Sequence, residues 1–527
     1  MMTFNNLLQN KLAINFSLGL MGLIGILLIL CGTSKFGVGI SPDSVSYIST
    51  ARNLIIGKGF RIYDGGYYVF WPPLFPLSLS TAGLTGIDPL HAARIINAVA
   101  FGLIIFFSGQ LFLRSFKSRV MVIVGAFFVL FSVPLHKVSV MAWSEPLYTL
   151  FSIIFFIAFT KFSVRKSYTW LLLSATFASL ALLQRYAGIT IAITAIVTIV
   201  FLVKNMPAKS RITYALTFCV LSLAPLMLWI TRNYLLTSTF SGHRPPAYYG
   251  LLKNISLTAD VIGNWFLPVF IHPMLPLFIL TVFCIVFLLI GFFAHKAEIK
   301  PAGVLPNQIM ASIIVYITCY IVFFIITSSL IAYEPINDRQ LAPLFPFVLL
   351  VLLVAAEESI KRSGFILENK KLIRGMLIAL LPLLMTYPVL KTSLLISDWI
   401  KEGAGEDFYG LSYYGKKAWQ ESPLITWLKN NPLSGCVYSN DPAPLYILAG
   451  IHAKLSLSKD TTVTRFREEL NVNQNCCLVW FNNNLDGRYR MLQSQDRICP
   501  LEKVKELIEL QEVAVFSDGT VYRFKNL

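Results

Sequence analysis

The chain has 527 residues, 56% of them hydrophobic and only 13% charged, with a mean hydropathy of +0.66. A soluble globular chain carries about 25% charge, so a water-soluble enzyme is excluded. The 40 Phe, 22 Tyr and 9 Trp exclude a disordered chain by the same reasoning.

The net charge of +17 is unevenly spread. Residues 1–396 hold 29 Lys and Arg against 11 Asp and Glu, whereas 397–527 hold 15 against 16. The basic excess therefore follows the apolar part, where short cytoplasmic loops collect Lys and Arg, and nucleic acid is not the partner. In chain order, runs that reach or approach the ~20 residues needed to cross ~30 Å of hydrocarbon predict eleven spans. They are 12–32, 95–113, 120–135, 146–160, 169–183, 187–203, 212–231, 273–294, 308–330, 341–356 and 375–395. Alternation places 17 basic residues on one side, in the loops around 114–119, 161–166, 204–211, 296–300 and 361–374 with Lys11. The opposite loops carry 11, spread over more sequence, so the dense side reads as cytoplasmic. This parity requires a tight turn at Gln184-Arg185-Tyr186 and a first run retained as a span, since 12–32 lacks a small-residue cleavage site. The N-terminus is then cytoplasmic and the C-terminal region extracytoplasmic.

The first outer loop, 33–94, is too long for a simple turn. Within it Asp43–Ile56 has helical character and ends at Gly57-Lys58-Gly59, a C-cap pattern. Asp43, Tyr47 and Thr50 share one face of that helix, while Val45, Ile48, Ile55 and Ile56 are expected to dip into the membrane interface. Ser41 or Asp43 also suits the role of helix cap. Three prolines in Trp71-Pro72-Pro73-Leu74-Phe75-Pro76 then force the chain to bend. Asp64-Gly65-Gly66 reads as a turn and Asp88-Pro89 as a helix start. A second long outer segment covers 232–272.

Residues 397–527 read as a small extracytoplasmic α/β domain, following a membrane domain over 1–396. Strands are expected at Cys436–Ser439, Cys476–Phe481, Val513–Phe516 and Thr520–Phe524, with a helix at Leu501–Leu510 and a hairpin at Ser517-Asp518-Gly519. Asp441-Pro442 reads as a turn and helix start. Cys31, Cys219, Cys284 and Cys319 lie in apolar spans as packing residues. Cys436, Cys476, Cys477 and Cys499 share the outer domain, either as buried thiols or as disulfides. Adjacent Cys476 and Cys477 do not suit each other, which leaves two connectivities if two bridges form.

Carboxylates filter the chemistry, because an outward-facing site must draw on the few in 1–396 or else on the C-terminal region. Seven of those in 1–396 face outside: Asp43, Asp64, Asp88, Glu145, Asp260, Glu334 and Asp338. The order of motifs around Asp43 carries a resemblance: an Asp after the first span, a following Tyr47, Ala51-Arg52-Asn53-Leu54, Gly57-Lys58-Gly59-Phe60, then Pro72-Pro73-Leu74-Phe75-Pro76. It resembles the GT-C superfamily of membrane glycosyltransferases, above all the bacterial protein-mannosyltransferase-like group that uses dolichyl- or polyprenyl-phosphate sugars. Trp143-Ser144-Glu145-Pro146, Gln184-Arg185-Tyr186, Trp229-x-x-Arg232-Asn233 and Asp338-Arg339-Gln340 agree with it at outer helix ends. Many members carry Asp-Glu in the first loop; here Ser44 follows Asp43, which leaves the acceptor open.

The resemblance implies a polytopic α-helical GT-C-like fold in a bacterial plasma (inner) membrane. It implies sugar transfer from a polyprenyl-phosphate donor to a glycan, lipid or protein acceptor, with inversion and Asp43 as general base. Arg339 and Arg232, then Arg185, Lys58, Arg61 and Arg244, would meet the donor phosphate. Tyr47 would lie in the sugar site. Glu145 would orient an arginine or the sugar, or cap its helix. His243 and Arg244 would form an acceptor lid or a surface loop. No metal-ligand spacing is present, so no cofactor is expected, although a divalent ion bridging Asp43 to phosphate stays open. A transporter or flippase, or a polymerase for lipid-linked saccharides, is the competing reading. Midplane charges and related halves would mark the transporter, and a large late outer loop the polymerase. Neither pattern is seen.

Overall fold

Ten of the eleven expected spans fall on helices in the computed structural model, which describes residues 11–527 apart from 117, 204–205, 245, 267–306, 332–333, 363–369, 406–412, 456–475, 483–499 and 526–527. The span expected at 273–294 lies outside the described residues, as do Cys284, Lys117, Lys204, Lys296, Lys300, Glu298 and Glu368. The helices on which these spans fall are Lys11–Gly32, Pro89–Ser115, Arg119–Leu130 with Val133–Ser139, Glu145–Arg165, Tyr168–Gln184, Tyr186–Leu202, Ala208–Thr237, Asn307–Leu330, Asp338–Leu341 continued by Phe345–Arg362, and Lys370–Glu402. Among the described residues, six single helices are long and apolar enough to cross a membrane, and a bent pair makes a seventh.

The breaks have local causes. The bent pair turns by 47° where Ser132 caps a new helix with Pro134 in its first turn. At the expected tight turn Arg185 is extended (φ −150°, ψ 140°) between two helices. There Gly188 lies flush on the backbone of Leu182, 2.7 Å from where a Cβ would be, so no side chain fits.

Three spans are central. About two-thirds of the Glu145–Arg165 and Asp338–Glu357 windows and 61% of Pro89–Ser115 are buried, against 28% of the first helix and of Ala208–Thr237. The central helices carry Glu145 and Arg339, so the charges at their ends are held by the best-packed part of the protein. The first helix joins this core through a close glycine crossing. A Cβ on Gly102 would lie 2.7 Å from the Gly22 carbonyl oxygen, and one on Gly22 2.8 Å from that of Gly102.

The first long loop, 33–94, contains two short helices, Pro42–Ile55 and Leu74–Gly83. Pro76 sits in the first turn of the second, where its missing N–H costs nothing. The expectation that Val45 and Ile48 dip into the interface is corrected: both are fully buried, each facing a different protein core. Only Ile56, at the helix C-cap, is widely exposed.

The last long helix runs to Glu402, beyond residue 396, because Trp399 packs against Gly32 of the first helix. After it comes a five-stranded mixed sheet in the order β2-β1-β3-β5-β4: β1 Val437–Ser439, β2 Lys454–Leu455, β3 Cys477–Phe481, β4 Leu510–Phe516 and β5 Gly519–Phe524. β1 is parallel to β2 and β3, and β5 is antiparallel to β3 and β4. The expected helix from Leu501 stops at Leu507, because Leu510–Gln511-Glu512 already pair with β5. Cys436 and Cys476 form a disulfide beside the paired starts of β1 and β3, while Cys477 is free and buried. Cys499 lies outside the described residues.

Replacing Gly102 with Val forces side-chain atoms into the Gly22 and Ile26 contacts. A loss of about 1–3 kcal/mol is expected from such overpacking, read as a lower unfolding temperature in detergent or lipid, with Gly102→Ala falling between.

Candidate active site

The described charges that matter gather where the first loop meets the ends of the central helices. Asp43 stands in the first turn of Pro42–Ile55, whose N-terminus is fixed by Ser41. Ser41 and Ser44 form a reciprocal capping box, and the Trp143 indole donates to Ser41 Oγ at 2.7 Å. Free N–H groups at this end favour a carboxylate. Ser41, and not Asp43, is thus the cap.

Arg339 lies at the start of its span, where Asn337 caps the helix and forms a second capping box with Gln340. The preceding turn is pinned by Asp338, which accepts from Lys137 Nζ at 2.6 Å and from the Trp265 indole at 2.9 Å. The Arg339 guanidinium then meets three carboxylates. Nη2 is 2.6 Å from Asp43 Oδ2, Nε is 2.8 Å from Glu145 Oε1, and Nη1 is 3.4 Å from Glu334 Oε1. Its plane covers the Trp143 ring at 4.1 Å, a cation–π contact that helps fix it without another charge.

Glu145 opens its own span and is fully buried. Oε1 also pairs with Arg185, from the break between two helices, while Oε2 has no partner among the described residues. A buried carboxylate survives such desolvation only when paired, so the two arginines and Glu145 form one electrostatic unit. Tyr47 is buried one turn beyond Asp43 on the same helix, its ring edge-on to Trp71 and Phe75 at 5.5 and 5.2 Å. Burial first, and the neighbouring Asp43 charge second, push the Tyr47 hydroxyl pKa upward, so it remains a hydrogen-bond donor.

Three carboxylates face two guanidiniums here. Of these, Glu334 has its carboxyl pKa pushed up, by burial above all, and Asp43 and Glu145 push the same way against Arg339. It makes the longest of the Arg339 contacts. Glu334 was among the outward carboxylates in the sequence, but nothing in its spacing tied it to Asp43, 291 positions earlier. Trp143 was legible only as part of a motif.

The other expected residues lie around the first loop. Arg232 donates to the Tyr68 carbonyl at 2.8 Å and stacks on Trp229 at 4.5 Å. Its neighbour Asn233 holds the Val69 carbonyl at 3.3 Å, and Arg244 holds that of Phe70 at 2.8 Å. These side chains latch consecutive carbonyls of the loop. Arg61 donates to Gly65 O and covers Tyr67; Lys58 and His243 are exposed. Asp64 accepts from Gly66 N and Asp88 from Leu90 N, as a turn and a cap require. Asp88 also binds Arg52 through two 3.0 Å bonds. Among the described residues, no group of three or more His, Cys, Asp and Glu is placed to hold a metal ion.

Two consequences can be measured. Glu145→Gln leaves two buried guanidiniums short of charge, and a loss of about 3–5 kcal/mol in stability is expected, as for other broken buried pairs. For Glu334 the raised folded-state pKa means that its contribution to stability is present at low pH and lost as pH rises through that value. Glu334→Gln is therefore expected to match wild type in acid and to exceed it increasingly at higher pH, read from unfolding temperatures across a pH series.

No protein-family profile matches the sequence, and no curated protein matches it. Solved structures do. ArnT from Cupriavidus metallidurans in the apo state aligns with a TM-score of 0.60 at 13% identity, over 96% of this chain and 97% of that one. The same protein bound to undecaprenyl phosphate gives 0.60 at 11% identity over the same shares. The Archaeoglobus fulgidus oligosaccharyltransferase, tethered with an acceptor peptide containing the NVT sequon, gives 0.53 at 13% identity, over 98% of this chain and 74% of that one. At such identities the likeness is one of architecture, and over nearly its whole length the chain shares the fold of these proteins, a GT-C-like fold.

Proposed function

We propose that the protein is a membrane glycosyltransferase that moves a sugar from a polyprenyl-phosphate donor to an acceptor at the extracytoplasmic face. The observation that carries this reading is the 2.6 Å contact between Asp43 and Arg339, which sets a carboxylate against a buried guanidinium where the first loop meets the helix ends. The fold supports it, and the undecaprenyl phosphate bound by one structural neighbour supports a donor of that class. The peptide tethered to the other keeps a protein acceptor among glycan and lipid alternatives.

In the proposed reaction the acceptor hydroxyl attacks the anomeric carbon and Asp43 takes its proton. The anomeric C–O bond to phosphate breaks, its electron pair stays on the phosphate oxygen, and the sugar inverts. Arg339, with Arg185 behind it across Glu145, stabilises the charge that develops on the leaving phosphate. The donor phosphate thereby competes with Asp43 for Arg339. Arg232 and Arg244 serve instead by holding the loop, consistent with their carbonyl contacts. Tyr47, with Trp71 beside it, offers the sugar a hydroxyl and an aromatic surface. In this reading the N-terminus is cytoplasmic and the C-terminal sheet lies outside, which the dense basic loops support. No cofactor enters this reaction, so chelation by EDTA is expected to leave the rate unchanged.

The test is transfer by the purified protein in lipid, using a panel of polyprenyl-phosphate sugars with a membrane extract as acceptor. Asp43→Asn is expected to lose about 10²-fold or more, the scale of a positioned base, while unfolding near the wild-type temperature. Arg339→Lys, which loses the planar fork, is expected to fall by a similar factor. Equal transfer by wild type and Asp43→Asn sinks the proposal and returns Asp43 to a structural role.

A further inference from the structure

The helix that carries Asp43 belongs to two cores at once. On one side Tyr47, Ile48 and Ala51 are buried among the membrane-embedded helices. On the other, Val45 and the preceding Ile40 are buried with Tyr414, Trp419, Leu424 and Val479, residues that follow the last long helix. One helix of fourteen residues is thereby clamped between the catalytic surroundings and the C-terminal unit.

The backbone contacts make the clamp directional. Tyr414 N donates to Ile40 O at 2.9 Å, immediately before the capping Ser41. Gln420 Nε2 holds the Phe36 carbonyl at 2.7 Å. Gly415 lies so close to Gly39 and Ile40 that a Cβ would come within 3.1 Å of their backbone atoms. The Tyr414 hydroxyl donates to Asp441 Oδ2 at 2.7 Å, and both residues are buried. Asp441 in turn is fixed through its own N–H to Ser439 Oγ at the end of β1. Beside it, the Asn440 amide exchanges two 2.9 Å bonds with the Phe481 backbone at the end of β3. A continuous set of bonds thus runs from the sheet to Asp441, Tyr414, Ile40, Ser41 and the first turn holding Asp43.

We propose that the C-terminal unit sets the position of Asp43, and that Tyr414 and Asp441 are positioning residues for it. The inference rests on Asp43 being the general base. Such a base works only within hydrogen-bond reach of its proton, about 2.6–3.2 Å, and a misplacement of ~1 Å costs about 10²-fold in rate. The C-terminal unit is therefore part of the catalytic machinery at one remove, with no contact to the reacting atoms required.

The experiment uses the full chain in lipid, with Tyr414→Phe and Asp441→Asn made in the wild-type and Asp43→Asn backgrounds. Tyr414→Phe keeps its ring in the core and loses the hydroxyl bond to Asp441, so it carries the test if Asp441→Asn does not fold. Hydrogen–deuterium exchange of Ser44–Thr50 is expected to quicken several-fold, with 145–165 and 338–357 unchanged. Turnover is expected to fall about 10-fold, short of the full cost of a 1 Å misplacement, with the donor KM unchanged. In the Asp43→Asn background this fall disappears, because no base remains to be placed. Unchanged exchange across Ser44–Thr50, or an equal loss of turnover in both backgrounds, overturns the proposal. A wild-type protein that transfers no sugar refutes the glycosyltransferase reading instead, and the exchange data still decide whether Tyr414 holds the helix.

Discussion

The structure depends on a guanidinium that cannot be left alone. Arg339 is 8% exposed at the mouth of a hydrocarbon-embedded bundle, and a charge there is tolerable only when its donors are taken. Asp43, Glu145 and Glu334 take them, and Glu145 extends the network to Arg185. These residues come from the first loop, the head of one span, the approach to another, and a break between two helices. Satisfying one cation therefore fixes four separate segments relative to each other. The capping boxes at Ser41 and Asn337 then fix where Asp43 and Arg339 stand within their own helices.

Around this network the first loop is held by its backbone. The carbonyls of Tyr68, Val69 and Phe70 are held by Arg232, Asn233 and Arg244 from the segment after the seventh expected span. An irregular chain at a membrane surface must satisfy its peptide groups, and here side chains do so. Arginines that read as phosphate contacts in the sequence thus hold the backbone of this loop in the structure. The C-terminal unit contributes a further grip through Ile40 and Val45, which complete its own hydrophobic core.

Much of the fold was legible because its signals are local. Apolar length marks a span, and a Ser before a helical run marks a cap. The break at Arg185 was legible from loop charge, since one long helix would have put the basic clusters at 161–166 and 204–211 on opposite sides. Boundaries failed where a partner decided them. The helix from Leu501 gives way to β4 because β5 is there to pair with, and no residue between 508 and 510 announces it. Val45 and Ile48 looked like interfacial anchors because two apolar residues on a short helix do not reveal whether lipid or protein will cover them.

By itself the sequence determined that the chain lives in a membrane, where most of its helices run, and that carboxylates are few in residues 1–396; these follow from composition and short-range pattern. The tertiary structure alone decided which charges meet. That Asp43, Glu145 and Arg185 converge on Arg339, that Glu334 joins them, and that Arg232 turns to the first loop are consequences of helix packing. Pairings between residues as much as 296 positions apart leave no trace in local spacing, because the desolvation that enforces them exists only once the helices have closed around the charges.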